Sequence, residues 1–438
     1  MVIGAGIAGI AAAAALHGAV EQVTILERDV LPPSPTPRRG VPQGDQLHNL
    51  LAMAQVHLED LLPGFVDRLR QLGCGEGVVS TDTHVFELGL RMPERDLGLR
   101  LLCAQRPMID HAAASLLPPT VHIADDVRVS DLRCTPDGAV SAVIAERGGE
   151  TVEYPCDLVV DASGPACLAA RWSTRADFDV PVDEVHADQW YVSVEIDPLD
   201  GPWDPHRFLL VFPTLPSTRG GLMSPAGDGS FHLSLSGKSA DPIPRTFDEM
   251  SSYAATLEDP VIAERVRRSV PHGEPRVFRK VKASWRRFDQ AEGRVPGLLA
   301  IGDALAGLNP LFGQGISLIA GCAVALRDLV HQHGGDDLGY LTSSYFNASA
   351  EVVDTAWQLG ALLDSALTVD HEGRALNLSA ALSELVAEDP EMHAHYVRIW
   401  HLLEPAGSLS EDRIRDRLVA RALQLPSSVE ADEGTVRR

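Results

Sequence analysis

Val2-Ile3 leads directly into Gly4-Ala5-Gly6-Ile7-Ala8-Gly9, and an alanine-rich run follows to about His17. The glycines fall where a strand-to-helix turn around a diphosphate needs them. Gly4 suits a tight turn, Gly6 a close approach of backbone to ligand, and Gly9 close packing of helix on strand. Val23 to Leu26 reads as the next strand, and Glu27 ends it where a carboxylate accepts hydrogen bonds from a ribose. The spacing points to a dinucleotide and leaves NAD and FAD open. Far along the chain, Leu298 to Ile301 reads as a buried strand closed by Gly302-Asp303. A loop holding Pro310, Gly313, Gln314 and Gly315 then feeds a helix from Ile316 to Leu329. A helix start offers free N–H groups and a positive dipole end, and glycines let backbone approach a ligand. Asp303 can accept hydrogen bonds from hydroxyls. Arg106, at a strand-to-helix junction, suits a phosphate or a sugar chain.

The elements that must hold these residues follow from the same rows. Residues 2 to 29 form a β-α-β unit, and Asp157 to Gly164 reads as a further parallel strand ending in Asp161. Only Met1, Val2 and Ile3 precede Gly4, whereas a central strand runs to about five or six residues, so the expectation is a start further upstream. A proline-rich loop from 30 to 50 carries Arg38-Arg39-Gly40-Val41-Pro42-Gln43-Gly44-Asp45 and, after it, His48, a lone histidine and the nearest candidate for a polar catalytic role. Leu50 to Leu62 and Met108 to Leu116 read as helices, and residues 81 to 104 as strands. Val127 to Cys134, Val140 to Glu146 and Thr151 to Tyr154, split by Pro136-Asp137-Gly138 and Gly148-Gly149, read as an antiparallel meander. From 176 to 289 strands alternate with Pro/Gly turns, and 336 to 438 look helical with a polar tail after Pro426.

The 438 residues, 45% of them hydrophobic and 22% charged, suit a soluble chain of two or three domains. A net charge of −24 argues against nucleic-acid binding by a basic face. Six cysteines scattered without a C-x-x-C pair argue against zinc and a disulfide framework, and fit a reducing cytoplasm. No apolar run reaches membrane-spanning length, and the N-terminus lacks the order of a signal peptide.

Taken in order, the Gly4 fingerprint, Arg106, the Asp161 strand end and Gly302-Asp303 resemble FAD-dependent monooxygenases of the aromatic-hydroxylase (group A) type. The loop Arg39 to Gly44, the run Asn309-Pro310-Leu311-Phe312-Gly313-Gln314-Gly315 and Trp357-Gln358-Leu359 are similar to bacterial flavin epoxidases of natural-product biosynthesis. The resemblance implies an α/β fold: a Rossmann-like FAD-binding domain with a parallel sheet (1–80, 106–175 and 290–335), an inserted, mostly antiparallel β substrate domain (81–105 and 176–289), and a helical C-terminal region (336–438). It implies cofactor contacts from Gly4, Gly6, Gly9, Glu27, Arg28, Arg39, Arg106, Val127, Asp161, Gly302, Asp303, Pro310, Gly313, Gln314, Gly315 and Ile316. Two departures stand out. Asp45 replaces a basic or polar residue, and Gly164-Pro165-Ala166-Cys167 replaces Gly-Arg-x-Ser, although Arg171-Trp172 matches.

The chemistry the resemblance implies is the cofactor's. A hydride reduces FAD, oxygen adds at the flavin C4a, and the hydroperoxide gives an oxygen atom to the substrate by epoxidation or hydroxylation. No second glycine fingerprint exists for NAD(P)H, which therefore binds transiently or acts through a separate flavin reductase. Trp190, Phe208, Phe212, Phe231 and Phe288 are candidate lining residues of a pocket between the β domain and the sheet. They imply an apolar polyene, terpenoid or aromatic substrate. A halogenase would need a Trp-x-Trp pair and an early lysine. The tryptophans are not so spaced, and Lys238 is the first lysine. A reductase of isoprenoid double bonds and a flavin-binding protein without turnover remain as alternatives.

Overall fold

The chain is seen in a computed structural model that describes residues 1–424 except 42, 43, 45, 88, 202, 204–206, 215, 216, 228, 335, 336, 367–372 and 423. Pro42, Gln43, Asp45 and the tail after Pro426 lie outside the described residues. The chain divides into two compact units, each built from three segments. The first comprises Met1–Gly73, Ala104–Val185 and Ala283–Trp357; the second comprises Cys74–Cys103, His186–Lys282 and Gln358–Arg438. The region from 336 onward is thus shared, divided after Trp357.

The first unit is organised by a parallel sheet of five strands. In space they run Leu298–Ala300, Val159–Asp161, Val2–Ile3, Val23–Leu26, Val121–Ala124. In chain order this is 3-2-1-4-5 read from the other edge, the doubly wound order. The order reverses between Val2–Ile3 and Val159–Asp161, so the crevice beyond Ile3 and Asp161 is where such sheets take ligands. The short Val2–Ile3 strand is central and fully buried, as its flanking strands on both sides require. The edge strand Val121–Ala124 was not legible in the sequence: two of its four side chains are exposed, so the run lacks a buried strand's apolar continuity.

Helix Ile7–Leu16 follows the first strand and is buried along almost its whole length, which its run of alanines permits. Helix Gly315–His333 packs directly against it, which brings the two ends of the unit's sequence together. The meander forms as the spacing predicts, from Val127–Cys134, Val140–Arg147 and Glu150–Pro155. Gly148 and Gly149, at φ +58° and +84°, supply the two positive φ angles of its tight hairpin.

The second unit is built largely on antiparallel strands, with Phe208–Val211 lying parallel to Thr83–Glu87. Val182–Pro198, Ser230–Lys238 and Gly220–Gly227 lie side by side. Helices Phe247–Ala254 and Val261–Val266, absent from the all-strand reading of 176–289, cover one face. The first carries a Thr246–Glu249 capping box that the sequence did display. The core there joins Trp190, Val192, Leu233, Leu235 and Met223 of the sheet to Met250, Tyr253 and Ile262 of the helices. Strand Ser269–Arg286 also escaped sequence reading, being charged and largely exposed.

Candidate functional site

Backbone geometry makes the glycine turn compulsory. Gly4 has φ +97°, and a Cβ there would lie 2.7 Å from the Ala162 carbonyl oxygen. A Cβ on Gly9 would lie 1.8 Å from the Gly4 carbonyl oxygen, so helix and turn meet only through glycine. At Gly6 the requirement differs. A Cβ there would point at two guanidinium groups, 3.4 Å from Arg106 Nη2 and 4.0 Å from Arg38 Nη2. The start of helix Ile7–Leu16, which has no side-chain cap of its own, therefore faces two cations.

Two carboxylates hold this arrangement. Glu27, at the end of the second strand, accepts from the Ala5 amide (2.7 Å) and the Asp29 amide (3.0 Å). Asp110, on helix Arg106–Ala114, accepts from the Ile7 amide (3.0 Å) and from Arg106 Nε (2.9 Å). Arg38 closes the set. Its Nη1 lies 2.7 Å from Glu27 Oε2 as an ion pair without hydrogen-bond alignment, and its Nη2 donates to the Ala5 carbonyl at 2.6 Å. Both arginines are largely buried, at 10% and 13% side-chain exposure, so water screens them little. Beside them a cleft of about 530 Å³, open to solvent, is lined by Ala5, Leu31, Arg38, Pro107, His111 and Ile123, among others.

Gly302, at φ +66°, packs against the same helix; a Cβ there would lie 2.9 Å from Ala8 Cβ. Asp303 is half-buried, and among the described residues its carboxylate has no partner. Its backbone carbonyl accepts from Arg286 Nη1 (3.1 Å), while Arg286 Nη2 donates to Pro165 O (3.2 Å), tying two turns together. The Asn309 side chain accepts from the Leu311 amide and shapes the turn Pro310–Phe312. Gly313 follows at φ +67°. Helix Gly315–His333 then starts with Gln314 as N-cap and no side-chain cap, and a Cβ on Gly315 would meet nothing within 4 Å. Gln314 and Ile316 are buried.

Other expected site residues fall elsewhere. Arg39 and Arg28 are exposed, whereas the neighbouring Arg38 is largely buried beside Glu27. Asp161 turns both carboxylate oxygens back onto its own loop, accepting from the Ser163 and Ala169 amides at 2.9 and 2.7 Å. Burial pushes its pKa up against those hydrogen bonds. Val127 is buried and donates its amide to the Glu27 carbonyl (2.8 Å), so it steadies the strand end that carries Glu27. His48 Nδ1 lies 3.1 Å from the Gln46 carbonyl oxygen. The unusual turn Gly164–Ala166 ends at Cys167, whose Sγ accepts from the Ala170 amide as a helix cap. Burial raises that thiol to about 12.

Of the aromatic candidates Trp190, Phe208, Phe231 and Phe288 are buried, and Phe212 is half-buried. Trp190 and Phe231 belong to the core beneath the helices, and the Trp190 indole donates to Lys238 O. Phe288 stacks on Phe346 at 4.6 Å. Phe208 is fully buried against Gly77, and Phe212 meets Trp400 edge-on at 5.2 Å. Arg38, Asp110 and Arg286 were missed. Asp110 had a legible signal, since it stands one helical turn after Arg106 on one face.

No family model matches the chain. Protein Rv3254 of Mycobacterium tuberculosis (strain ATCC 25618 / H37Rv) is 28% identical over 379 residues, 83% of this chain and 79% of that protein. Among solved structures, a flavoprotein/dehydrogenase from Cytophaga hutchinsonii superposes with TM-score 0.69 at 17% identity, covering 96% of this chain and 97% of its own. The flavin-dependent brominase Bmp2 gives 0.68 at 14% identity, covering 91% and 92%. The p-nitrophenol 4-monooxygenase PnpA from Pseudomonas putida DLL-E4 gives 0.67 at 15%, covering 92% and 98%. The fold is therefore the one these flavin-dependent proteins share, with its Rossmann-like parallel sheet, antiparallel strands and C-terminal helices. Among the described residues no helix is long and apolar enough to cross a membrane.

Proposed function

We propose that the chain binds FAD in its first unit and is a monooxygenase of the aromatic-hydroxylase type. It would transfer one atom of O2 to a small-molecule substrate by epoxidation or hydroxylation, with electrons from NAD(P)H directly or through a separate flavin reductase. The observation that carries the reading is the glycine-bared helix start at Gly6, faced by the buried Arg38 and Arg106. Two guanidiniums and a helix dipole suit a diphosphate, and a Cβ would intrude on its approach.

The residues present fit the whole cofactor. Glu27 keeps lone pairs beyond those used by Ala5 and Asp29, and can accept from the adenosine ribose. The cleft beside Arg38 and His111 suits the adenine end. Asp303, unpartnered, can accept from ribityl or phosphate-proximal hydroxyls. The uncapped start of helix Gly315–His333 presents amides that stabilise negative charge on a bound ring system. When bound and reduced, the flavin supplies the activation of O2 that no side chain here provides. The chain's own part is to bind, orient and keep water out. Six free thiols support a reducing cytoplasm as its location.

The test starts from purified protein. FAD should be released on denaturation, and with NAD(P)H or a flavin reductase present the protein should place one labelled atom from ¹⁸O2 into a small-molecule product. Absence of any flavin after reconstitution overturns the reading. A saturated product formed without oxygen would replace it with a reductase, and bound FAD without turnover would replace it with a flavin-binding protein.

A further inference from the structure

Helix Pro390–Trp400 of the second unit begins as its sequence dictates. Asp389 caps it, accepting from the Glu391 and Met392 amides, and Pro390 takes the first helical position. The other end is less ordinary. The Leu402 and Leu403 amides donate to the Ile399 and Arg398 carbonyls, both at 2.9 Å, which closes the helix with Leu402 at φ +58°. Glycine usually fills that left-handed position, and leucine is strained in it. The turn folds the chain back, and Glu404 meets His395 and Arg398, which share one face of the helix at a spacing of three.

Three side chains then line up. His395 Nδ1 is paired with Glu404 Oε2 at 2.5 Å, and His395 Nε2 lies 3.0 Å from Ser408 Oγ. Arg398 Nε donates to the other carboxylate oxygen, Glu404 Oε1. Burial pushes the Glu404 pKa up, but Arg398 and His395 outweigh it and hold the carboxyl below its ordinary value. An anionic Glu404 keeps the proton on Nδ1, which leaves Nε2 as an acceptor facing the hydroxyl. Ser408 is 8% exposed and the side chains of His395 and Glu404 22% and 28%, so the hydroxyl is sheltered and the imidazole reachable. The Ser408 hydroxyl has a second acceptor in the Pro405 carbonyl oxygen at 2.6 Å. Gly407, its neighbour, is exposed, and a Cβ there would meet nothing within 4 Å. Among the described residues the Gly407 amide donates to no acceptor.

We propose that Ser408, His395 and Glu404 form a second reactive centre, which cleaves small carboxylic esters through an acyl-serine. A serine hydroxyl is a weak nucleophile until a base takes its proton as the new bond forms. Ser408 Oγ attacks the ester carbonyl, and its proton, turned away from the Pro405 carbonyl, passes to His395 Nε2. The bond from the acyl carbon to the leaving oxygen breaks, and the alcohol departs with that proton. Water then attacks the acyl-serine, giving a proton to the same imidazole, and the acid is released as Ser408 takes the proton back. No oxidant or reductant is consumed. Ser408 and His395 are the catalytic residues, and Glu404 is a positioning residue that fixes the imidazole's tautomer and orientation. The Gly407 amide offers a donor to the carbonyl oxygen as it gains negative charge, and the open side at Gly407 gives a small ester its approach.

The centre uses neither flavin nor O2, so its test stands apart from that of the monooxygenase reading. The full-length protein is treated at about pH 8 with a fluorophosphonate, which bonds to an activated serine with loss of fluoride, and mass spectrometry locates the adduct. A single label should appear, on Ser408, and p-nitrophenyl acetate should compete for it while releasing p-nitrophenol. His395→Gln should slow labelling by at least about 100-fold, the usual worth of a positioned general base. Glu404→Gln should slow it by about 10-fold or more, and Glu404→Asp should recover most of the rate, a rescue that a purely structural carboxylate would not produce. No label on the parent protein, a label on another residue, or an unchanged rate in folded His395→Gln overturns the centre. The first two outcomes are read on the parent, whether or not the variants fold.

Discussion

Gly9 and Gly315 both sit in glycine motifs, yet the structure asks different things of them. A Cβ on Gly9 would strike the Gly4 carbonyl oxygen at 1.8 Å, and neither backbone segment can give way. Gly9→Ala is expected to cost more than about 3 kcal/mol, or to prevent folding, as read by denaturant unfolding. At Gly315 the space is open. Gly315→Ala should leave the apoprotein as stable as the parent and weaken FAD binding, because the added methyl occupies the helix start where a ligand approaches. Two variants with similar apo stability would show that the turn can relax. Neighbouring arginines separate in the same way. Arg38 is buried against Glu27 and Ala5, whereas Arg39 is exposed. Arg38→Ala and Arg106→Ala should each weaken FAD binding by about 10- to 100-fold, the value of a charge-assisted hydrogen bond. Arg39→Ala should change it less than about twofold. Reversed effects in a fluorescence titration would place the wrong arginine in the site.

At the scale of elements, helix Pro390–Trp400 is pinned to strand Thr83–Glu87 by a buried contact, Tyr396 Oη donating to Glu87 Oε1 at 2.6 Å. Burial raises the Glu87 pKa from 4.5 to about 7, opposed by that hydrogen bond. The native chain therefore holds more protons than the unfolded one between these values. The stability this group contributes is present in full below pH 4.5, falls as the pH rises toward 7, and stays level above. Glu87→Gln keeps an acceptor for Tyr396 and removes the titration. It should match the parent near pH 4.5 and exceed it by roughly 2–3 kcal/mol at pH 8 in denaturant unfolding. Parallel pH profiles for the two proteins would show that Glu87 is ionised in the folded chain. Arg95 supports the same region by donating to the carbonyls of Val386 and Ala387, at 3.0 and 2.6 Å.

Across the whole molecule, legibility followed the range of the interactions involved. The fingerprint Gly4 to Gly9, the Gly148-Gly149 hairpin and the Gly302 turn were readable because local backbone sterics demand glycine there. The parallel strand at Val159–Asp161 was readable from its apolar run, and the Thr246–Glu249 box could have revealed the helices that were missed. That Arg38 and not Arg39 is the buried arginine was not legible from sequence, since it follows from long-range contacts to Glu27 and Asp110. Nor could the faces of the second unit's sheet be assigned before the covering helices were seen. Large aromatics there, Trp190 and Phe231 among them, serve the core under those helices.

The central claim is that the Gly4 turn and the Gly302-to-Gly315 region, nearly three hundred residues apart in sequence, form one FAD site. Titrating the apoprotein with FAD, FMN and NAD⁺ under one set of conditions tests it most directly. The site predicts FAD tightest, FMN weaker by at least roughly 100-fold for want of the adenosine contacts at Glu27 and Arg38, and NAD⁺ weaker still for want of a flavin at the Gly315 helix start. FMN binding as tightly as FAD, or NAD⁺ outcompeting both, would contradict the account.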